Sequence, residues 1–203
     1  GQTIDGVPIP RATYPVSPLA DVDSLARVLG PLATVSATVT GGARLTLPAA
    51  APARATVVMA VTPGAEERLR PRFAAGRFFN VAEVRSAQRI AVVSPALASA
   101  AHLSLGDTLR LEGHAFRVIG ILAPAAQRVA PLGMTALVPF TTADSAMAPL
   151  AALRAPQIMV RAARVEVVDT VRVRVERWAA ARLGAGWKDE ASVEASSPMR
   201  LDQ

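Results

Sequence analysis

Cysteine is absent from the chain. That excludes disulfides, thiolate zinc sites and cysteine nucleophiles. Lysine is almost absent as well: of 22 basic residues only Lys188 is a lysine, and the rest are arginines. A guanidinium grips phosphate through two parallel hydrogen bonds, so the bias has a functional reading. The arginines, however, run from Arg11 to Arg200 without a dense block, whereas nucleic-acid binders gather them on one face. The net charge of +6 is therefore read as genome-wide composition, and nucleic acid is not expected as a partner. No apolar run of about 18 residues, the length that would mark a spanning helix, exists. The most alanine-rich stretch, residues 47–61, is broken by Pro48, Pro52 and Arg54. No signal peptide is visible, and Gly1 has no initiator methionine before it, so the chain reads as a fragment excised from a longer protein.

At 203 residues and 51% hydrophobic, the chain has enough Val, Leu and Ile for one large domain or two small ones. The proline-rich first residues read as extended or irregular. Ser17-Pro18 then predicts an N-cap with proline at the first helical position, and Gly30-Pro31 stops the helix that follows. Three runs rich in Val and Thr, residues 33–40, 43–47 and 55–61, read as strands, the first two joined as a hairpin across Gly41-Gly42. A short helix, GAEERLR, follows. Asn80 with Glu83 three residues on predicts a capping box. Residues 88–94 read as a strand, Ser94-Pro95 as the cap of another short helix, and 107–111 with 115–122 as a hairpin turning at Glu112-Gly113-His114. Residues 134–140 predict a strand, with Thr141 or Thr142 capping a helix that runs to about Met147. A strand over 156–162, a helix with Val168, Val171, Val175 and Trp178 on one face, and a strand over 190–196 complete the reading.

Aromatics make up only 4% of the chain, yet all five phenylalanines lie between Phe73 and Phe140, while both tryptophans and the tyrosine lie outside that span. Aromatics dominate small cores by area, so one segregated set predicts a second core and an inserted subdomain.

The chemistry-bearing residues form no recognisable site. There is no P-loop, no GxGxxG and no GxSxG. His102 reads as a helix-end residue and His114 as a turn residue, with no acids at metal-ligand spacing. Glu66-Glu67 and Asp189-Glu190 are adjacent carboxylates that point to different faces and read as solvated surface. Asp21 and Asp23 suit the first turns of a helix, where the macrodipole favours them. The methionines are scattered, Trp178 reads as core, and Trp187 is a candidate contact residue. No catalytic, cofactor-binding or metal residue is nominated, no cofactor is expected, and the domain is not expected to be an enzyme.

The stretch GRFFNVAEVRSAQRIAVVSP, together with GDTLRLEGHAFRVIGIL and ALVPFTTA, resembles the MacB-like periplasmic core domain of MacB/FtsX-type ABC transporter permeases. The G-R-x-F phrase falls on Gly76, Arg77 and Phe79. The paired-strand pattern falls on Gly106, Leu109, Leu111, Gly113, Phe116, Val118, Ile119, Gly120 and Ile121, and the last segment on Val138, Pro139, Phe140, Thr142 and Ala143. The chain departs from the pattern in a shorter HLSLGD loop, in an indistinct opening strand, and in Ala60 where glycine is usual. The resemblance implies an α+β fold: a discontinuous porter-like α/β subdomain (1–70 plus 154–203) holding an inserted strand-rich, sabre-like subdomain (71–153). It implies a non-catalytic, extracytoplasmic (periplasmic) domain, anchored by transmembrane helices outside this fragment. Its role would be to transmit ATP-driven motion and to contact substrate or partner proteins in export. The implied partners are the rest of the permease, its ATPase, a periplasmic adaptor and a second copy in a dimer. The alternative is a substrate- or lipoprotein-binding cradle of a lipoprotein-release-type permease. Within AGRFFN, Gly76 is expected to allow a tight turn, Asn80 to cap a helix, and Phe79 to be buried in the core of the inserted part, with Phe78 less buried because neighbours in a strand point opposite ways.

Overall fold

Strand pairing organises most of the chain. The computed structural model describes residues 3–4, 7–8, 18–46, 54–124, 133–148 and 157–184. In chain order the elements are β1 (Thr3–Ile4), β2 (Val7–Pro8), α1 (Pro18–Leu29), β3 (Ala33–Thr46), β4 (Arg54–Val61), α2 (Ala65–Leu69), β5 (Phe73–Gly76), α3 (Val81–Arg85), β6 (Ile90–Val93), α4 (Pro95–Ala100), β7 (Thr108–Leu111), β8 (His114–Leu122), β9 (Thr135–Pro139), α5 (Ala143–Ala146), β10 (Gln157–Ala162) and α6 (Val168–Leu183). The chain divides into two compact units, Gly1–Ala37 with Ala155–Gln203, and Thr38–Arg154.

In the first unit two helices pair. Leu25 and Leu29 of α1 are fully buried, and Val171, Val175 and Trp178 on the predicted stripe of α6 are buried. Polar contacts fix the register of the helices: Trp178 Nε1 donates to Ser24 Oγ at 3.1 Å, Arg174 to the Val28 carbonyl at 3.1 Å, and Arg182 Nε to Asp21 Oδ1 at 3.0 Å. Asp21 thus does more than favour a helix dipole. It is buried and holds a guanidinium 161 residues away. β10 lies beside β3 in the sheet order, and Ala163 N–H donates to the Leu32 carbonyl at 2.8 Å. Gly184, at φ +89, follows the last turn of α6. The Ser17 cap and the 190–196 strand lie outside the described residues.

The second unit is a sheet that closes on itself. β3 pairs antiparallel with β4, β4 parallel with β9, β9 antiparallel with β6, β6 parallel with β8, and β8 antiparallel with β7. β7 then pairs with β3 through Leu45↔Leu111 and Thr46↔Arg110. The result is a six-stranded barrel, an arrangement that removes unpaired edges. Alternation places one set of side chains inside: Val39, Leu45, Val58, Leu109, Phe116 and Val138 belong to one buried cluster, joined by Leu97 of α4 and Met147 after α5. The opposite faces of β6, β8 and β9 carry a second cluster, with Ile90, Val92, Ile119 and Leu137 covered by Leu69 of α2, Val84 of α3 and the pair Phe78 and Phe79.

Several local expectations change. Gly41-Gly42 makes no hairpin: β3 runs through both, pairing Gly41 with Val58 and Gly42 with Val57. Neither glycine is at positive φ, which a two-residue hairpin turn would need, and the partner strand holds both extended. Neither threonine caps α5. Thr142 Oγ1 donates to Pro139 O at 2.7 Å and Thr141 Oγ1 to Val84 O, so both hydroxyls are spent on other carbonyls. Residues 38–70, grouped by the sequence reading with the outer part, fall in the second unit, because β3 and β4 supply two staves of the barrel. The β7–β8 hairpin forms, but its turn is only Glu112 at φ +48 and Gly113 at φ +80, the two positive φ values of a type I′ turn; His114, expected in the turn, pairs with Leu111 as the first residue of β8.

Phe116 is fully buried inside the barrel. Phe116→Ala should lower unfolding free energy by about 3–5 kcal/mol, read from urea denaturation; a loss under about 1 kcal/mol would show that the interior is not the packed core described.

Candidate functional site

The AGRFFN stretch is the densest constellation of specific contacts. β5 pairs antiparallel with β8, setting Gly76 opposite Gly120. The two backbones approach too closely for side chains. A Cβ on Gly76 would lie 2.1 Å from the Ile119 carbonyl oxygen and 2.9 Å from the Gly120 Cα; one on Gly120 would lie 2.5 Å from the Arg77 oxygen. Gly76 also sits at φ +76, a conformation glycine adopts without steric cost. Arg77 N–H continues the pairing by donating to the Ile119 carbonyl at 3.1 Å.

β5 ends at Gly76, so strand alternation no longer governs the next residues. Phe78 does not turn away. It is 5% exposed and Phe79 1%, and their ring centroids lie 4.2 Å apart at 31°. Both belong to the outer-face cluster. Phe78 is the less buried of the two only marginally, and the opposite pointing expected of strand neighbours does not hold.

Asn80 then starts α3 with a full capping box. Its Oδ1 accepts the Glu83 N–H, and Glu83 Oε1 accepts the Asn80 N–H, both at 2.9 Å. Glu83 has a second task that the sequence did not reveal. Arg77 reaches it with both terminal nitrogens, Nη1–Oε1 at 2.7 Å and Nη2–Oε2 at 2.9 Å, and Nη1 also donates to the Phe78 carbonyl at 3.0 Å. The spacing Arg77-x5-Glu83 spans a turn and a helix start, so no simple helical or strand period exposes it. The Arg77 guanidinium holds the Glu83 carboxyl below its ordinary value of 4.5, against the opposing effect of burial, with further help from the Asn80 N–H and the charge of Arg117. Glu83 in turn raises the Arg77 pKa through the same bonds. Such a carboxylate stays charged and paired near neutrality. It is suited to bracing a joint and unsuited to proton transfer.

The other chemistry-bearing residues do not converge. His102, at φ +50, is exposed beyond α4, and His114 opens β8 with its Nδ1 buried and unpaired among the described residues. Ser94 accepts from Leu97 N–H at 3.2 Å and Thr135 N–H at 3.0 Å and donates to Gly133 O at 3.0 Å, so its hydroxyl is committed to the backbone. Glu66 and Glu67 are exposed on α2. Trp187 and Asp189-Glu190 lie outside the described residues. Among the described residues no group of three His, Asp or Glu could hold a metal ion, and no helix is long and apolar enough to cross a membrane.

The model of the MacB-like periplasmic core domain matches residues 2–178. The chain belongs to that family. No curated protein matches it in sequence. Among solved structures it is similar to the extracellular domain of the noncanonic ABC-type transporter YknZ from Gram-positive bacteria, at 16% identity and a TM-score of 0.66, covering 86% of this chain and 87% of that one. It is also similar to the periplasmic region of MacB from Actinobacillus actinomycetemcomitans, at 12% identity and a TM-score of 0.61, covering 87% and 78%. At such identities the likeness shows a shared fold. Placed in this structure, the residues of the MacB-like phrases hold backbone and core positions: Gly76 and Gly120 at the close approach, and Phe79, Leu109, Leu111, Phe116 and Val118 buried.

Two outcomes follow for the joint. Phe78→Ala and Phe79→Ala should each cost about 3–5 kcal/mol of stability; a near-neutral Phe78→Ala would contradict the packed pair. Glu83 has a lowered folded pKa, so the stability it supplies is complete above its unfolded value near 4.5 and is lost as pH falls through the lower folded value. Glu83→Gln should therefore lose about 1 kcal/mol at pH 7, and the gap to wild type should shrink on acidification to pH 3. A gap that is constant in urea titrations at the two pH values would remove the ionic contribution.

Proposed function

We infer that this domain is the non-catalytic, extracytoplasmic part of an ABC transporter permease of the MacB type. Its task is to carry ATP-driven motion of the membrane part outward and to present surfaces to substrate or partner proteins during export. The observation that carries this reading is the family match over residues 2–178. It is supported by the dispersal of the chemistry-bearing side chains, several of them engaged in structure: Ser94 with backbone groups, Glu83 with Arg77 and Asn80, and Asp21 with Arg182. The helix-on-strand unit of residues 1–37 and 155–203 suits the porter-like part, and the barrel unit the inserted β-rich part. Relative motion of such units is the default where a chain crosses between them on few segments, and division at two chain crossings fits a transmitting role. The rest of the permease, its ATPase, an adaptor and a second copy are the partners this reading requires.

The absence of cysteine makes the test clean. In a full transporter stripped of its other cysteines, Val81→Cys, at a position 53% exposed, should react with a membrane-impermeant maleimide supplied from the extracytoplasmic side. Protection there with reaction from the cytoplasmic side would overturn the placement. Nitroxides at Val81→Cys and Val173→Cys, one in each unit, should change their distance distribution between nucleotide-free and vanadate-trapped states. An unchanged distribution would remove the transmission role.

A further inference from the structure

We propose that the outer face of the barrel where β3, β7 and β8 meet binds an extended acidic segment of a partner protein, gripped by Arg44, Arg110 and Arg117. The three residues are far apart in sequence and are brought into line by the closure of the sheet. Thr108 stands opposite Arg117, and Thr46 opposite Arg110. Arg44 comes next to Glu112, whose N–H donates to the Arg44 carbonyl at 3.0 Å. Arg110 stands two residues along β7 from Thr108, and Arg44 two residues along β3 from Thr46, so each step from Arg117 to Arg110 to Arg44 crosses one strand diagonally, with neighbours about 7–8 Å apart.

All three side chains are exposed, as are Thr46, Thr108 and Ala115 around them. They lie on the face opposite Leu45, Leu109, Leu111 and Phe116, so the buried interior fixes their outward direction. Among the described residues none of the three forms an ion pair. The nearby acids are already engaged: Glu112 Oε1 accepts the Arg44 N–H at 2.6 Å, Asp107 Oδ2 the Ser104 N–H at 2.8 Å, and Glu83, which feels the charge of Arg117, is held by Arg77. Arg110 makes one long contact, to the Gly113 carbonyl at 3.4 Å. Three guanidiniums are thus held in a row, each with donors to spare for a carboxylate.

Spacing selects the occupant. Alternate side chains of an extended peptide are about 7 Å apart on one face, which matches the diagonal, so a segment with an acid at every second residue places three carboxylates on three arginines. A fluid surface of anionic lipid has no such period and gains nothing from a straight array. The proposal rests on the reading of this domain as a partner-contacting module. Its test needs no membrane, so its failure would leave the labelling and distance experiments untouched.

The 203-residue chain, titrated with a synthetic peptide in which three glutamates alternate with threonines, should show amide shifts on β3, β7 and β8 by NMR. Arg44→Gln, Arg110→Gln and Arg117→Gln together should weaken binding about tenfold, since each exposed pair contributes modestly. The triple Lys variant keeps the charges and guards against a folding failure: it should retain most of the affinity. A peptide with the three glutamates contiguous should bind more weakly than the alternating one. Equal binding of the two peptides, or no shift with either, would overturn the proposal. Arginine-dependent binding to phosphatidylglycerol vesicles without peptide binding would overturn it in favour of a lipid surface.

Discussion

The two-pair ladder between β3 and β7, Leu45↔Leu111 and Thr46↔Arg110, is the contact on which the second unit depends. It joins the ends of an otherwise open sheet. With it in place every inward residue of six strands faces the same enclosed volume, and Phe116 and Leu111 are wholly removed from water. Burial on that scale is the main favourable term in a small fold. Without the ladder, β3 and β7 would be edges, and half of the interior cluster would lose its opposite wall.

Closure also dictates what lies outside. Once alternate side chains are committed to the interior, the other faces of β6, β8 and β9 need a cover, supplied by α2, α3 and the two stacked phenylalanines. The route to that cover is narrow. The chain leaves β5 through Gly76, where no Cβ fits against the Ile119 carbonyl, and it is then clamped by Arg77–Glu83–Asn80 before α3 begins. Glu83 satisfies a cation and a helix-start N–H at once, so the joint has no loose polar group at its centre. This explains why the phrase marking the MacB-like family coincides with a piece of architecture. Its glycine and aromatic are needed where backbone meets backbone and where rings fill a cover, and a chemical role is not required to account for them.

Much of the fold was legible because it is set by neighbours in sequence. The Asn80–Glu83 box, the Ser94-Pro95 helix start, the β7–β8 hairpin and the Val171, Val175 and Trp178 stripe each depend on residues a few positions apart, and each appears as read. Gly41-Gly42 was misread for the same reason in reverse: turn chemistry was present locally, but eight pairings to β4 held the strand straight. The phenylalanines divide between two clusters, Phe116 and Phe140 with the interior and Phe73, Phe78 and Phe79 with the outer face, and the interior also takes Val39, Leu45, Val58 and Ala60 from strands without aromatics. Composition therefore could not show that β3 and β4 belong with it.

By itself the sequence determined most element types, the caps at Asn80 and Ser94, the absence of thiol chemistry and the MacB-like signature, since these depend on side-chain chemistry and short spacings. Only the tertiary structure decided which strands share a barrel, that Phe78 is buried beside Phe79, that Arg77 grips Glu83, that Asp21 holds Arg182 across 161 residues, and that three distant arginines stand in one line. Those outcomes come from pairing and packing between segments far apart in the chain. Their energies depend on which surfaces meet, and no local period records that choice.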